Sequence, residues 1–138
     1  MKPRTQFAAL PTAVRAGQLQ VMLITSRETR RWVIPKGWPE PNHSPSELAA
    51  REAYEEAGIV GRIAPVPLGS YRYDKRLTAR KAVPCVVEVY RLEVERELAD
   101  WPERRQRDRR WLRPSEAAPL VAEAGLAELL LRMGRPPG

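Results

Sequence analysis

Apolar and polar positions along the chain fall into blocks whose period changes, and the changes mark out elements. Residues 7–14 (FAALPTAV) and 19–25 (LQVMLIT) read as two strands joined at Arg15-Ala16-Gly17-Gln18, a hairpin-like turn. Trp32-Val33-Ile34 reads as a short strand that leaves regular structure at Pro35-Lys36-Gly37. The pattern then turns helical over residues 45–57. Ser44 suits the N-cap, Pro45 the first helical position, and Glu47 completes a Ser-x-x-Glu capping box. Gly58 supplies the C-terminal stop, and Leu48, Ala49, Ala53 and Ala57 form the face expected to pack inward. Residues 62–73 and 82–94 read as further strands around a basic loop from Asp74 to Lys81, and 109–112 as a last short strand. Residues 115–120 and 126–133 read as helical pieces. Trp32 and Trp111 sit in apolar strand patterns and are expected in the core. Strands on both sides of one central helix, with a second helix at the end, predict an α/β (α+β) fold: an α/β/α sandwich around a mixed sheet. The expected organisation is a single domain over 1–134 and a flexible tail over 135–138.

Chemistry enters at the central helix. Glu52, Glu55 and Glu56 stand at i, i+3 and i+4 and project from one side of it. Like charges so placed repel unless a cation sits among them. Oxygen donors suit magnesium or manganese, and no Cys/His cluster exists to favour zinc. Composition narrows the rest. The 138 residues carry a net charge of +7, which favours anionic partners. No apolar run is long enough to span a bilayer, and MKPRTQFAAL lacks a secretory apolar region, so neither membrane nor export is expected. The single cysteine, Cys85, excludes an intramolecular disulfide, fits a reducing cytoplasm and reads as a buried small hydrophobe.

Gly37, Arg51, Glu52, Ala53, Glu55, Glu56, Gly58 and Ile59 fall at the spacing of the Nudix signature, in which a glycine precedes a glutamate and then Arg-Glu-apolar-x-Glu-Glu-x-Gly-apolar. The chain thus resembles the Nudix hydrolases, and the strand order around the motif resembles their fold. His43, the only histidine, stands where the signature has its first glutamate, and Glu40 or Glu47 could replace that carboxylate in part. Arg31-Trp32-Val33-Ile34-Pro35-Lys36-Gly37, Leu98-Ala99-Asp100-Trp101-Pro102-Glu103 and Arg110-Trp111-Leu112 are similar to the diphosphoinositol polyphosphate phosphohydrolase branch.

That resemblance implies hydrolysis of phosphoanhydride bonds with Mg²⁺, or Mn²⁺, in substrates such as dinucleoside polyphosphates or inositol pyrophosphates. The metal ligands it implies are Glu52, Glu55, Glu56 and the main-chain carbonyl of Gly37. Glu55 is either a further ligand or the base, and Arg51 is a positioning residue one turn from Glu55. Lys36, Arg27, Lys75, Arg76 and Trp38 are the candidate substrate contacts, and Glu103 or Asp108 could add a ligand from outside the motif. The arginines at 104, 105, 107, 109 and 110 read as a partly solvated loop and strand edge. The expected partner is an anionic phosphorylated small molecule, in a cytoplasmic monomer or homodimer, with nucleic acid disfavoured. ADP-ribose or nucleoside triphosphate cleavage, and a catalytically weak ligand sensor or RNA-binding module, stay open as alternatives.

Overall fold

A computed structural model describes residues 2–134, so the tail expected at 135–138 lies outside the described residues. Strands β1 (Arg4–Arg15) and β2 (Gln18–Thr25) form the predicted hairpin. Ala16 and Gly17 at its tip both take positive φ, 51° and 75°, the handedness that matches the twist of the flanking strands. Two short strands follow, β3 (Trp32–Val33) on β2 and β4 (Lys36–Gly37) on β1. Next come helix α1 (Pro45–Glu52), strands β5 (Ile59–Ile63), β6 (Gly69–Arg76), β7 (Ala82–Glu97) and β8 (Arg109–Leu112), and helices α2 (Pro114–Ala117) and α3 (Ala124–Met133). The central path of the sheet runs β3-β2-β1-β7-β5, with β6 on β7 and β8 on β2. Only the β1–β7 pair is parallel among these ladders, so the sheet is mixed as expected.

Two cores, one on each sheet face, explain why β1 and β2 are apolar almost without interruption. Ala8, Leu10, Val21, Leu23, Val87 and Val89 pack on one face with Ala117, Leu126, Leu129 and Leu130 of the C-terminal helices. Ala9, Met22, Ile24, Tyr90 and Leu92 pack on the other with Ala49, Ala53, Ala57 and Ile59. The small alanines let the central helix lie close to the sheet, as its sequence predicted.

Three local expectations change. The strand expected over 62–73 is broken at Pro65 and Pro67, which cannot donate to a ladder. Its halves pair with different stretches of β7. Trp32 and Trp111 are both half-buried, packed against the two cores rather than inside them; Arg15 lies 5.1 Å over the Trp111 ring, and Trp111 Nε1 donates to Glu97 at 3.2 Å. The helix expected over 45–57 is α-helical only to Glu52, and Ala53–Ala57 form a wider π-helical turn. Ser44 Oγ accepts the Glu47 N–H at 3.2 Å at its start. Gly58 ends it at φ 66°, where an added Cβ would lie 2.5 Å from the Trp101 ring. Gly58→Ala therefore combines a left-handed backbone cost of about 1–2 kcal/mol with a clash. Its thermal unfolding midpoint should drop by several degrees, checked by calorimetry; an unchanged midpoint would contradict the fixed contact with Trp101.

Candidate functional site

The site lies where β4 leaves the sheet and α1 begins to widen. Lys36 pairs with Ala8 and Gly37 with Phe7, so their side positions fall on opposite sheet faces. Gly37 lies directly beside Glu52: a Cβ there would approach Glu52 Cδ and Oε1 to 2.7 Å. Only glycine lets this carboxylate rest against the main chain.

As at any helix end, the last turn before Gly58 leaves carbonyls without partners inside the helix. Residues 98–109 collect them instead. The Glu103 N–H donates to Glu55 O at 3.1 Å, and Trp101 Nε1 to Glu56 O at 3.1 Å. Arg109 Nη1 donates to Ala57 O at 2.9 Å and Gly58 O at 3.3 Å, its Nη2 to Leu98 O at 2.7 Å, and its guanidinium stacks 4.0 Å over Trp101. Arg107 Nη2 reaches Glu56 at 3.5 Å, its Nε donates to Glu103 at 2.9 Å and its Nη1 to Thr25 O at 3.1 Å. Arg107 and Arg109 have side chains only 9% and 18% exposed, so within this partly solvated run these two turn inward. Sequence could not separate them from Arg104, because an arginine run does not state which side chains turn inward.

Burial dominates the electrostatics of Glu56. Loss of water, followed by a hydrogen bond that the protonated Glu56 carboxyl donates to Glu52, pushes its pKa up to about 9, while Arg107 pulls the other way. Glu55 is also raised, by desolvation and then by the charge of Glu52. Arg51 binds the loop before the helix to this cluster: it pairs with Glu40, reaches His43 Nε2 at 3.0 Å and lies 3.8 Å from Glu55. Glu40, rather than Glu47, thus brings a carboxylate to Arg51 where the signature glutamate is missing.

A cleft of about 1390 Å³ brings together most of the predicted residues. Gly37, Glu52, Glu56, Lys36, Trp38 and Arg27 line it, as do Lys75 and Arg76 at the end of β6. Arg51 and Glu55 stand beside it rather than in its lining. Trp38 has one face covered by Arg4, 4.2 Å away. Lys36 lies with its Nζ 5.4 Å from the Tyr73 ring centre, and its removal from water lowers its pKa against the pull of Glu123 and Glu56. Of the two outside carboxylates, Glu103 enters the cleft, 3.9 Å from Arg27. Asp108 is spent on Arg30 at 2.6 Å with a largely exposed side chain.

The donor set suits a hard divalent cation. A carboxyl buried beside a second carboxyl keeps its proton, and a bound dication would remove the repulsion that makes it do so. Among the described residues no group of three or more His, Cys, Asp or Glu stands preassembled, which agrees with Glu56 being held by Arg107 and Glu52.

The NUDIX domain family model matches residues 4–133. The chain belongs to the Nudix family. Nudix hydrolase 13, mitochondrial, of Arabidopsis thaliana is 39% identical over 108 residues, 75% of this chain and 54% of the relative. Diphosphoinositol polyphosphate phosphohydrolase 3-beta of Homo sapiens is 34% identical over 101 residues, 71% and 57% of the two chains. This Nudix chain spans about half the length of the curated relatives it matches. Among solved structures, an Ap4A hydrolase of C. elegans superposes with a TM-score of 0.68 at 17% identity, covering 96% of each chain. The NUDIX domain of Shewanella oneidensis NrtR, crystallised with ADP ribose, gives 0.66 at 17% identity, covering 96% of this chain and 89% of that one. These structural likenesses establish the shared fold. Among the described residues no helix is long and apolar enough to cross a membrane.

The raised pKa of Glu56 gives a signed expectation for the metal-free Nudix chain. Between 4.5 and about 9 the folded state keeps a proton that the unfolded chain releases, so this contribution to stability fades as pH rises through that window. Thermal melts in chelator from pH 5 to 9 should show wild type losing stability relative to Glu56→Gln. Parallel curves would refute a proton held on Glu56.

Proposed function

We propose that this chain is a Mg²⁺-dependent hydrolase of phosphoanhydride bonds in polyphosphorylated small molecules, such as dinucleoside polyphosphates or inositol pyrophosphates. The observation that carries the reading is Glu56 buried at the cleft beside Glu52, with Glu52 packed on Gly37. Glu52, Glu56 and the Gly37 carbonyl hold the cation, magnesium or manganese. A divalent ion held there supplies Lewis acidity toward phosphate oxygens and toward water.

The protein's own groups supply the rest. Glu55 is the base or a further ligand, and its raised pKa moves it toward the range in which a carboxylate takes a proton effectively near neutrality. Arg51 fixes Glu55 and ties it to the loop through Glu40 and His43. Lys36, Arg27, Lys75 and Arg76 meet the phosphates, Trp38 offers its remaining face to the substrate, and Glu103 adds a carboxylate at the rim. An anionic small molecule is the partner in this reading, and nucleic acid is not. A single domain over 1–134, a monomeric or homodimeric state and a cytoplasmic location complete it, although mitochondrial stands in the names of several plant relatives.

Glu56→Gln should leave the fold and melting cooperativity intact while turnover falls about a thousandfold, several kcal/mol of lost electrostatic stabilisation. Unchanged hydrolysis would overturn the metal assignment. Product analysis across diadenosine polyphosphates, inositol pyrophosphates and ADP-ribose, with and without magnesium, separates the branches; strong preference for ADP-ribose would select the nucleotide-cleaving alternative. The compensation by Glu40 has its own check. Glu40→Gln should lower kcat more than it raises KM, and adding His43→Glu should restore kcat by returning a carboxylate to Arg51. A double variant no better than the single one would rule out this positioning role.

A further inference from the structure

A second pocket lies at the far end of α3 from the cleft. It holds about 260 Å³ and is lined by Leu68, Leu129 and Met133 together with Arg91 and Arg132. None of these residues lines the cleft. On β7, Val87 and Val89 enter the core beneath the C-terminal helices, and Arg91 is the next position on that sheet face. The helix runs out at Met133, and Arg91 is exposed. Thr12, 1% exposed, accepts the Arg91 Nε–H at 3.2 Å, which orients the guanidinium and leaves both Nη groups without a bond among the described residues. Arg132 comes from the last turn of α3, where a cation suits the helix dipole, and its Nη2 lies 3.7 Å from the point that a Gly69 Cβ would take. Glu128 precedes it by one turn, yet among the described residues neither Arg132 nor Arg91 forms an ion pair.

Two guanidinium groups beside an apolar wall define the chemistry of the occupant. Such forks bind the oxygens of carboxylates or phosphates in pairs. A carboxylate has two oxygens, enough for one fork. A phosphomonoester has three terminal oxygens and a charge of about −1.5 to −2 near neutrality, which matches both arginines. Leu68, Leu129 and Met133 call for an apolar group on the same molecule, and Leu68 is 41% exposed, area that such a group would cover. A chain of phosphates has no such group, and a nucleotide exceeds the space, since pockets for drug-sized ligands span about 300–1,000 Å³. We propose that Arg91 and Arg132 form a binding site for a small phosphomonoester with a short apolar or aromatic body. The site is separate from the cleft and does not rest on the phosphoanhydride reading.

Phenyl phosphate is the probe, titrated in chelator against protein with isotope-labelled methionine methyl groups and followed by NMR. Met133 lines the site, and Met22, buried in the other core, reports on the fold. The Met133 signal should shift saturably with a dissociation constant of about 1 mM, the weak range expected of a small open site, while the Met22 signal stays in place. Arg91→Gln and Arg132→Gln should each weaken binding by about tenfold, the usual effect of one charge-assisted hydrogen bond. Both arginines are exposed, and an unmoved Met22 signal shows that the variants keep the fold. Benzyl alcohol lacks the anion, inorganic phosphate lacks the apolar body, and phenylacetate offers only two oxygens; each should bind about tenfold more weakly or worse. No shift at Met133 by about 10 mM, equal binding of any of these three, or full affinity in the Arg91→Gln/Arg132→Gln double variant overturns the site. So does a Met133 response that disappears in Lys36→Gln, because the probe would then be acting from the cleft.

Discussion

Glu56 sits on a short π-helical turn, Ala53–Ala57, whose C-terminal end is held by bonds from a distant loop. The end of this helical segment leaves the carbonyls of Glu55, Glu56, Ala57 and Gly58 in need of donors, and each finds one on residues 101–109. Each such bond contributes only about 0.5–1.5 kcal/mol net, but an unmade one in this buried setting costs more. The bonds hold the far loop against the helix end, and with it come Arg107 and Glu103. Glu56 on the helix, Arg107 beside it and Glu103 at the rim are therefore placed by the bonds that close one helix end.

Charge balance around that point is held by few contacts. Arg107 contacts Glu56 and Glu103 at once, and Arg51 spans Glu40, His43 and Glu55. These two arginines set positive charge among the crowded acids, although Arg107 only partly counters the burial that raises Glu56. Lys36 separates the acids of the helix face from Glu123 on the opposite side of the sheet. The cleft thus alternates in charge along its length, which a surface of +7 read only as a total conceals.

Much of this architecture was legible in residue order. Ser44, Pro45 and Gly58 bounded the helix because caps depend on local backbone chemistry, and the acids at 52, 55 and 56 shared a side because helical spacing is local too. The break at Pro65 and Pro67 is equally local, yet the apolar alternation around it reads as one strand. Trp111 illustrates the opposite failure. Its strand pattern reads as core, yet β8 lies beside β2 with the ring turned toward Arg15 and Glu97.

The sequence by itself determined the elements, the mixed α/β class, the acidic motif and the family, because those follow from short-range periodicity and fixed spacing. Only the tertiary structure decided which of the arginines between 104 and 110 turn inward, that Glu40 pairs with Arg51, that Glu103 and not Asp108 lines the cleft, and that Glu123 lies near Lys36. Each of those depends on contacts between residues far apart in the chain. Long side chains reach across such gaps according to packing and burial, which no local pattern encodes.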